Sequence, residues 1–265
     1  MLAIPCLVSI LALACSATPV PDLDPQPLEI EPKSEGRLEA RQAANFGPRV
    51  HMGPTKSGAD IIGLSTVFKP GYPPANPTKF LALWPGVWNP YSIKSDLVQS
   101  VISSHDQAYM TSFCGAKRGQ WCLQPYVLSG WKPLTIQNGY AIDGSDEIEI
   151  IYEKATSGKG TWKQSLTNLS KGKKYPEYSA GSAAGTTFET GTEMQGSNRG
   201  SADTQVYRNL TLTLRVADPT FARTYSKDPK VVANAPVTPD GGKTWVFDQI
   251  EIPAMLPGTT FKPAN

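Results

Sequence analysis

Histidine is almost absent: the 265 residues contain two, His51 and His105. That leaves too few imidazoles for a zinc centre, and a Ser-His-Asp or Cys-His nucleophile would have to rest on one of these two. Cysteine is nearly as scarce, with four in all, of which Cys6 and Cys15 lie at the extreme N-terminal end. No Gly-x-Ser-x-Gly elbow and no phosphate-binding glycine loop occurs. No apolar run approaches the ~20 residues a membrane helix needs, so membrane insertion is not expected. Helical spacing of apolar residues is also nearly missing, which argues against bundles and against alternating β-α folds. These absences lead us to expect no metal and no cofactor.

What is present begins with an uncharged stretch of 17 residues, apolar almost without interruption from Leu2 to Ala14. Such a run is too short to span ~30 Å of hydrocarbon but suits the core of a signal peptide. Ala12-Leu13-Ala14 and Cys15-Ser16-Ala17 supply small residues for cleavage. We therefore read residues 1–17 as a signal peptide and expect a secreted, extracellular protein. From Thr18 to Arg41 there are five prolines, six acids and three bases, too little apolar surface to offset the entropy of ordering. Residues 18–57 accordingly read as an acidic, proline-rich leader or pro-segment, and 58–265 as the folded domain. From Gln42 onward 22 bases face 17 acids, a net of +5. The basic residues are scattered, so nucleic acid is not an expected partner.

Cys114 and Cys122 are expected to pair in an exported protein, with the glycine-containing segment between them read as a turn joining two strands. Asn168-Leu169-Ser170 and Asn209-Leu210-Thr211 satisfy the glycosylation sequon, whereas Asn76-Pro77-Thr78 is excluded by its proline.

Short β-branched and aromatic runs recur between clusters of Gly, Pro, Asn and Ser. They predict strands over Ile61–Phe68, Phe80–Trp84, Asp96–Ser103, Trp121–Ser129, Glu147–Tyr152, Thr161–Leu166, Thr186–Glu193, Tyr207–Ala217 and Thr244–Ile252. Ile148, Ile150 and Tyr152 alternate with Glu147, Glu149 and Ile151; Leu210, Leu212, Leu214 and Val216 alternate with Thr211, Thr213 and Arg215. A short helix is expected only near Asp218–Tyr225 or in the leader, and 226–243 reads as a long loop. The fold class is all-β: an antiparallel, concanavalin-A-like jelly-roll sandwich, expected to be a monomer.

Chemistry is harder to place. Glu147 and Glu149 would share a strand face, but the paired or tripled carboxylates of a glycan hydrolase are incomplete there, and no Tyr, His or Arg cluster suggests a lyase. Aromatics and amides at strand positions stand out: Trp84, Trp88, Gln99, Gln120, Trp121, Trp162 and Gln164, with Glu193. Rings that stack on sugars and amides that orient hydroxyls are what a concave binding sheet needs. Trp84, Trp121, Trp162 and Gln164 are thus the candidate ligand-binding residues. The expected partner is an extracellular glycan of a cell wall or host surface, or a protein polymer, bound by a secreted interaction protein.

Leu83-Trp84-Pro85-Gly86, Asp96-Leu97-Val98-Gln99, Cys114-Gly115-Ala116-Lys117 with Gly119-Gln120-Trp121-Cys122, Thr161-Trp162-Lys163-Gln164 and Gly191-Thr192-Glu193 follow in this order. This order resembles secreted fungal proteins with a concanavalin-A-like lectin/glucanase jelly roll. More distantly it is similar to the fungal glutamic peptidases, the eqolisins, whose jelly roll carries a catalytic Gln on one strand and a Glu on a later one. That second resemblance implies an acid endopeptidase with a dyad of Gln99 and Glu193.

Overall fold

The computed structural model describes residues 44–254, apart from 78–79, 93, 131, 135–136, 157–159 and 196–201. The expected signal peptide and the leader up to residue 43 lie outside the described residues. In chain order the first strands are β1 (Ala44–Met52), β2 (Ile61–Lys69), β3 (Leu81–Trp88), β4 (Asp96–Ser104), β5 (Gln120–Ser129), β6 (Lys132–Pro133), β7 (Tyr140–Asp143) and β8 (Ile148–Lys154). They continue with β9 (Trp162–Asn168), β10 (Lys173–Lys174), β11 (Tyr178–Ala180), β12 (Thr187–Gln195), β13 (Gln205–Leu214), β14 (Ser226–Lys227), β15 (Val232–Ala233) and β16 (Thr244–Ile252).

Two antiparallel sheets form a jelly-roll sandwich. The first runs β14-β1-β12-β3-β4-β5-β6, with β7 also on β5. The second runs β10-β9-β8-β2-β13-β16-β15, with β11 also on β9. All nine strands expected from the sequence are present. Alternation has its physical cause in the two-residue side-chain period: Ile148, Ile150 and Tyr152 are fully buried between the sheets, while Glu149 and Glu153 point away. Leu210, Leu212 and Leu214 do the same on β13, whereas Val216, expected on the same face, lies past the end of the strand and is exposed. Phe68, Trp121, Phe188, Tyr207 and Phe247 fill the same core, and each such side chain stabilises the fold by roughly 1.5–3 kcal/mol.

Three expectations need correction. Strand β1 lies within the stretch 18–57 that composition assigns to the leader, so the folded domain starts before residue 58. The strand pairs with β12 along most of its length and buries Val50 and Met52 in the core. Among the described residues the α-helix is α1, Gln107–Cys114; near 218–225 a short 3-10 turn forms at Phe221–Thr224, and the leader alternative lies outside the described residues. Asp106 caps α1 by accepting the Tyr109 backbone N–H, and Gly115 ends it in the left-handed region at φ 72°. The Cys114–Cys122 disulfide therefore joins the end of α1 to β5, not two strands. The segment 226–243 is mostly loop, as expected, but contributes the short pairings of β14 and β15.

Among the described residues no helix is long and apolar enough to cross a membrane, and no group of His, Cys, Asp and Glu could hold a metal ion.

Candidate active site

The first sheet has a second face, turned away from the core, and side-chain parity decides what stands on it. On β3, Leu81, Leu83 and Val87 enter the main core. Ala82 and Trp84 belong instead to a separate apolar cluster with Phe80, Val101, Tyr126 and Leu128. Gly86 shares the parity of Ala82 and Trp84, so it lies on this outer face. Register then fixes its neighbours. Gly86 pairs with Glu189 of β12 on one side and with Gln99 of β4 on the other. Extending the row, His51 of β1 stands opposite Glu189, and Tyr126 of β5 opposite Gln99. Five strands thus contribute one line: His51, Glu189, Gly86, Gln99, Tyr126.

Two strand spacings place the Cα atoms of Gln99 and Glu189 about 10 Å apart. Gly86 has no side chain of its own, and the space above it is bounded by Leu97 and the Trp84 ring. Glutamine and glutamate side chains are long enough to approach one another across such a spacing. Both are buried, Gln99 at 2% and Glu189 at 5% exposure. Gln99 Nε2 has no hydrogen-bond partner among the described residues, and neither does the indole Nε1 of Trp84. Leaving a buried donor unpaired costs about 1–3 kcal/mol, so the unpaired amide of Gln99 marks a place where something else is meant to accept. The Trp84 ring leans over Gly86: a Cβ built there would lie 3.1 and 3.2 Å from its Cζ3 and Cε3.

Glu189 is paired with Arg49 of β1, Nη1 to Oε1 at 3.3 Å. Tyr126 has its phenol pushed above the ordinary range, first by burial and then by the charges of neighbours that include Glu193.

The other sheet supports this site from beneath. Pro85, beside Gly86, brings no N–H to the ladder, and Ser100 of β4 stands opposite a second proline, Pro125. Tyr152 of β8 reaches across the core to the carbonyl of Pro85. Its hydroxyl donates to Pro85 O at 3.0 Å, and Ser100 interacts with the Tyr152 hydroxyl itself. Gln164 of β9 donates to Tyr126 O at 3.0 Å and accepts from Ser100 Oγ at 3.2 Å. Thr190 Oγ1 donates to Trp84 O at 2.8 Å. The carbonyls on both sides of the row are held by buried partners.

The sequence-expected residues fall into three places. Gln99 and Trp84 are on the outer face. Trp121, Trp162 and Gln164 are not: all three sit in the interior at 0–1% exposure. Trp121 donates its indole N–H to Gly71 O at 2.8 Å and Trp162 to Ala183 O at 3.0 Å. They are core residues with no ring face left for a ligand. Their positions on β5 and β9 have inward parity, which a residue list cannot reveal without the register. Glu193 is on the outer face and buried, but it pairs with Ala82, four residues along β3 from Gly86. That offset adds roughly 13 Å along the strand to the spacing across it, too far for Gln99 and Glu193 to hold one water. The acid in register with Gln99 is Glu189. The alternation Thr187, Glu189, Gly191, Glu193 was legible in the sequence and put both acids on one face, but it could not say which stood opposite the glutamine.

Of the two sequons, Asn168 is fully buried. Its Nδ2 donates to Asp146 Oδ2 at 2.7 Å, and its Oδ1 accepts the Lys171 backbone N–H at 3.0 Å. That leaves no space for a glycan and corrects the expectation for this position. Asn209 is exposed, in a β-bulge of β13 at φ 49°. His105 meets Asp106 at 2.5 Å at the start of α1, away from the row.

No protein-family model matches the chain, and no curated protein matches it. Among solved structures, the chain is similar to scytalidoglutamic peptidase with a peptide-based transition-state analogue. The identity is 14% and the TM-score 0.46, over 77% of this chain and 98% of that one. It is similar to SCP-B, a member of the eqolisin family of peptidases, in complex with the tripeptide Ala-Ile-His, at 13% identity and a TM-score of 0.43, over 77% and 98%. A protein of unknown function from Shewanella oneidensis MR-1 shows 12% identity and a TM-score of 0.32, over 80% of this chain and 65% of that one.

Proposed function

We propose that this chain is a secreted acid endopeptidase whose dyad is Gln99 and Glu189. The observation that carries the reading is the buried, unpartnered amide of Gln99 standing in register with a buried carboxylate across a glycine. The resemblance to the eqolisins in motif order supports the same chemistry.

In this reading a water lies between the two side chains, over Gly86. Glu189, ionised, takes a proton from it as the oxygen attacks the peptide carbonyl carbon. The carbonyl π electrons move onto oxygen, and the Gln99 amide N–H donates to the oxyanion that forms. Glu189, now protonated, passes its proton to the amide nitrogen as the C–N bond breaks. A carboxylate serving as base restricts the enzyme to conditions where it stays charged, and a water-excluding floor of Trp84, Val101, Tyr126 and Leu128 strengthens every interaction in the site. Binding of an extracellular glycan had rested on four residues, and three of them face the core, so the glycan reading finds no support on this face.

The test is hydrolysis of a denatured protein at pH 2–5 by wild type, Gln99→Ala, Glu189→Gln and Glu193→Gln. The first two substitutions should each lower the rate by ~10²–10³, the loss typical of one oxyanion donor or of a general base. Glu193→Gln should lower it far less. Activity indifferent to Gln99 and Glu189 would dismiss the dyad.

A further inference from the structure

Arg49 is held over the site by more devices than a surface ion pair requires. A bulge in β1 between Phe46 and Arg49 resets the strand's register against β12, so that Arg49 pairs with Gly191. Gly191 is then crossed by the arginine stem: a Cβ at that position would lie 2.6 Å from Arg49 Cγ. The guanidinium rests over the Phe46 ring, 5.2 Å from its centroid. The backbone of the same residue is clamped in both directions by Asp228. Arg49 N donates to Asp228 Oδ2 at 2.8 Å, and Asp228 N donates to Arg49 O at 3.0 Å. The stem has one destination, Glu189 Oε1, whose side chain is 6% exposed against 21% for the arginine.

We propose that Arg49 is a positioning residue that keeps Glu189 ionised and aimed into the row at acidic pH. This inference rests on Glu189 being the base of the proposed hydrolysis. A base that must work in acid faces a specific difficulty, because a buried carboxyl tends to take up a proton and lose its function. An opposite charge within ~4–6 Å favours the charged form and works against that tendency.

The groups that face Glu189 agree with this assignment. From β1 come Arg49 and, directly opposite, His51, whose Nε2 lies 3.2 Å from Gly53 O. From β3 the neighbours are Gly86, Trp84 and Trp88, none of which titrates. Glu193 stands four residues along Glu189's own strand, and Tyr126 lies beyond Gln99 on β5. The positive charge is all on one flank, which leaves the flank toward Gln99 for substrate.

The experiment is a ¹³C NMR titration of glutamate-labelled full chain, with the Glu189 carboxyl assigned by its loss in Glu189→Gln. Arg49→Met should raise the Glu189 midpoint by about one unit, and Arg49→Lys should restore most of the wild-type value. In parallel, the acid limb of kcat/KM on a soluble peptide should move upward by the same amount in Arg49→Met and return in Arg49→Lys. Near-UV circular dichroism checks that each variant keeps the native packing. An unchanged Glu189 midpoint in Arg49→Met overturns the role of Arg49, whether or not peptide is cleaved. A midpoint that moves in a chain that cleaves nothing overturns the peptidase reading alone and leaves the charge-holding pair standing.

Discussion

Gln99 and Glu189 each pair with Gly86, one from either side, so an amide and a carboxylate separated by 90 residues of sequence share a single cross-sheet row. The row depends on the glycine as much as on the two long side chains. A methyl group at Gly86 would come within 3.0 Å of Leu97 Cδ1 and 3.1 Å of Trp84 Cζ3, and it would occupy the gap where water must sit. Gly86→Ala should therefore lower kcat/KM at least about tenfold, with a thermal midpoint lowered only by the small shift that the Leu97 and Trp84 side chains must make. Peptide hydrolysis measured beside the thermal midpoint checks this. Full activity in the alanine variant would show that the space above Gly86 is not where the reaction occurs.

The helix that closes one end of the outer face has its own dependence on acid. The Tyr109 backbone N–H donated to Asp106 holds that carboxyl below its usual range, against a partial burial that works the other way and with help from His105. Because the folded-state value is depressed, the stabilisation is present above the ordinary carboxylate value and is lost as pH falls through the lower, folded one. Asp106→Ala should thus cost about 1 kcal/mol at pH 6, the usual loss for an N-cap. The gap between variant and wild type should narrow below pH 4. Urea unfolding at pH 6 and at pH 3 measures both, and a gap that stays constant or widens in acid contradicts the assignment.

Asn168 is a structural residue in the disguise of a sequon. Removing its side chain leaves the buried Asp146 without its 2.7 Å donor and uncaps the 3-10 turn Leu169–Lys171, so Asn168→Ala should cost about 2–3 kcal/mol in urea unfolding. Peptide mapping of folded protein exported from a eukaryotic host should find Asn168 unmodified. Any sugar should be on Asn209, which is exposed. A glycan on Asn168 in native, active material would contradict the buried contacts.

The sequence by itself determined the class of this protein. Two-residue alternation in runs such as Ile148–Tyr152 and Leu210–Leu214 forces strands with one buried face, and strands without helices between them must stack as two sheets. It also marked Gln99 and Trp84, and it joined Cys114 to Cys122 because only that pair lay in the folded domain. It did not announce β1, whose sequence Ala44–Met52 holds Gly, Pro and Arg and becomes a strand through its pairing with β12. Nor did it announce α1, eight residues whose apolar face, Met110 and Phe113, is too brief to show a helical period.

Only the tertiary structure chose among the candidates for the site. Trp121, Trp162 and Gln164 carry the chemistry of a ligand platform, yet strand parity turns them into the core. Glu189 and Glu193 are equivalent in local sequence, on the same strand and the same face. Register is set by long-range pairing and by a bulge such as the one at Phe46–Arg49, and a local pattern that repeats every two residues carries no record of it. The alternation could say that an acid would face outward, and the pairing through Gly86 decided that the acid opposite Gln99 is Glu189.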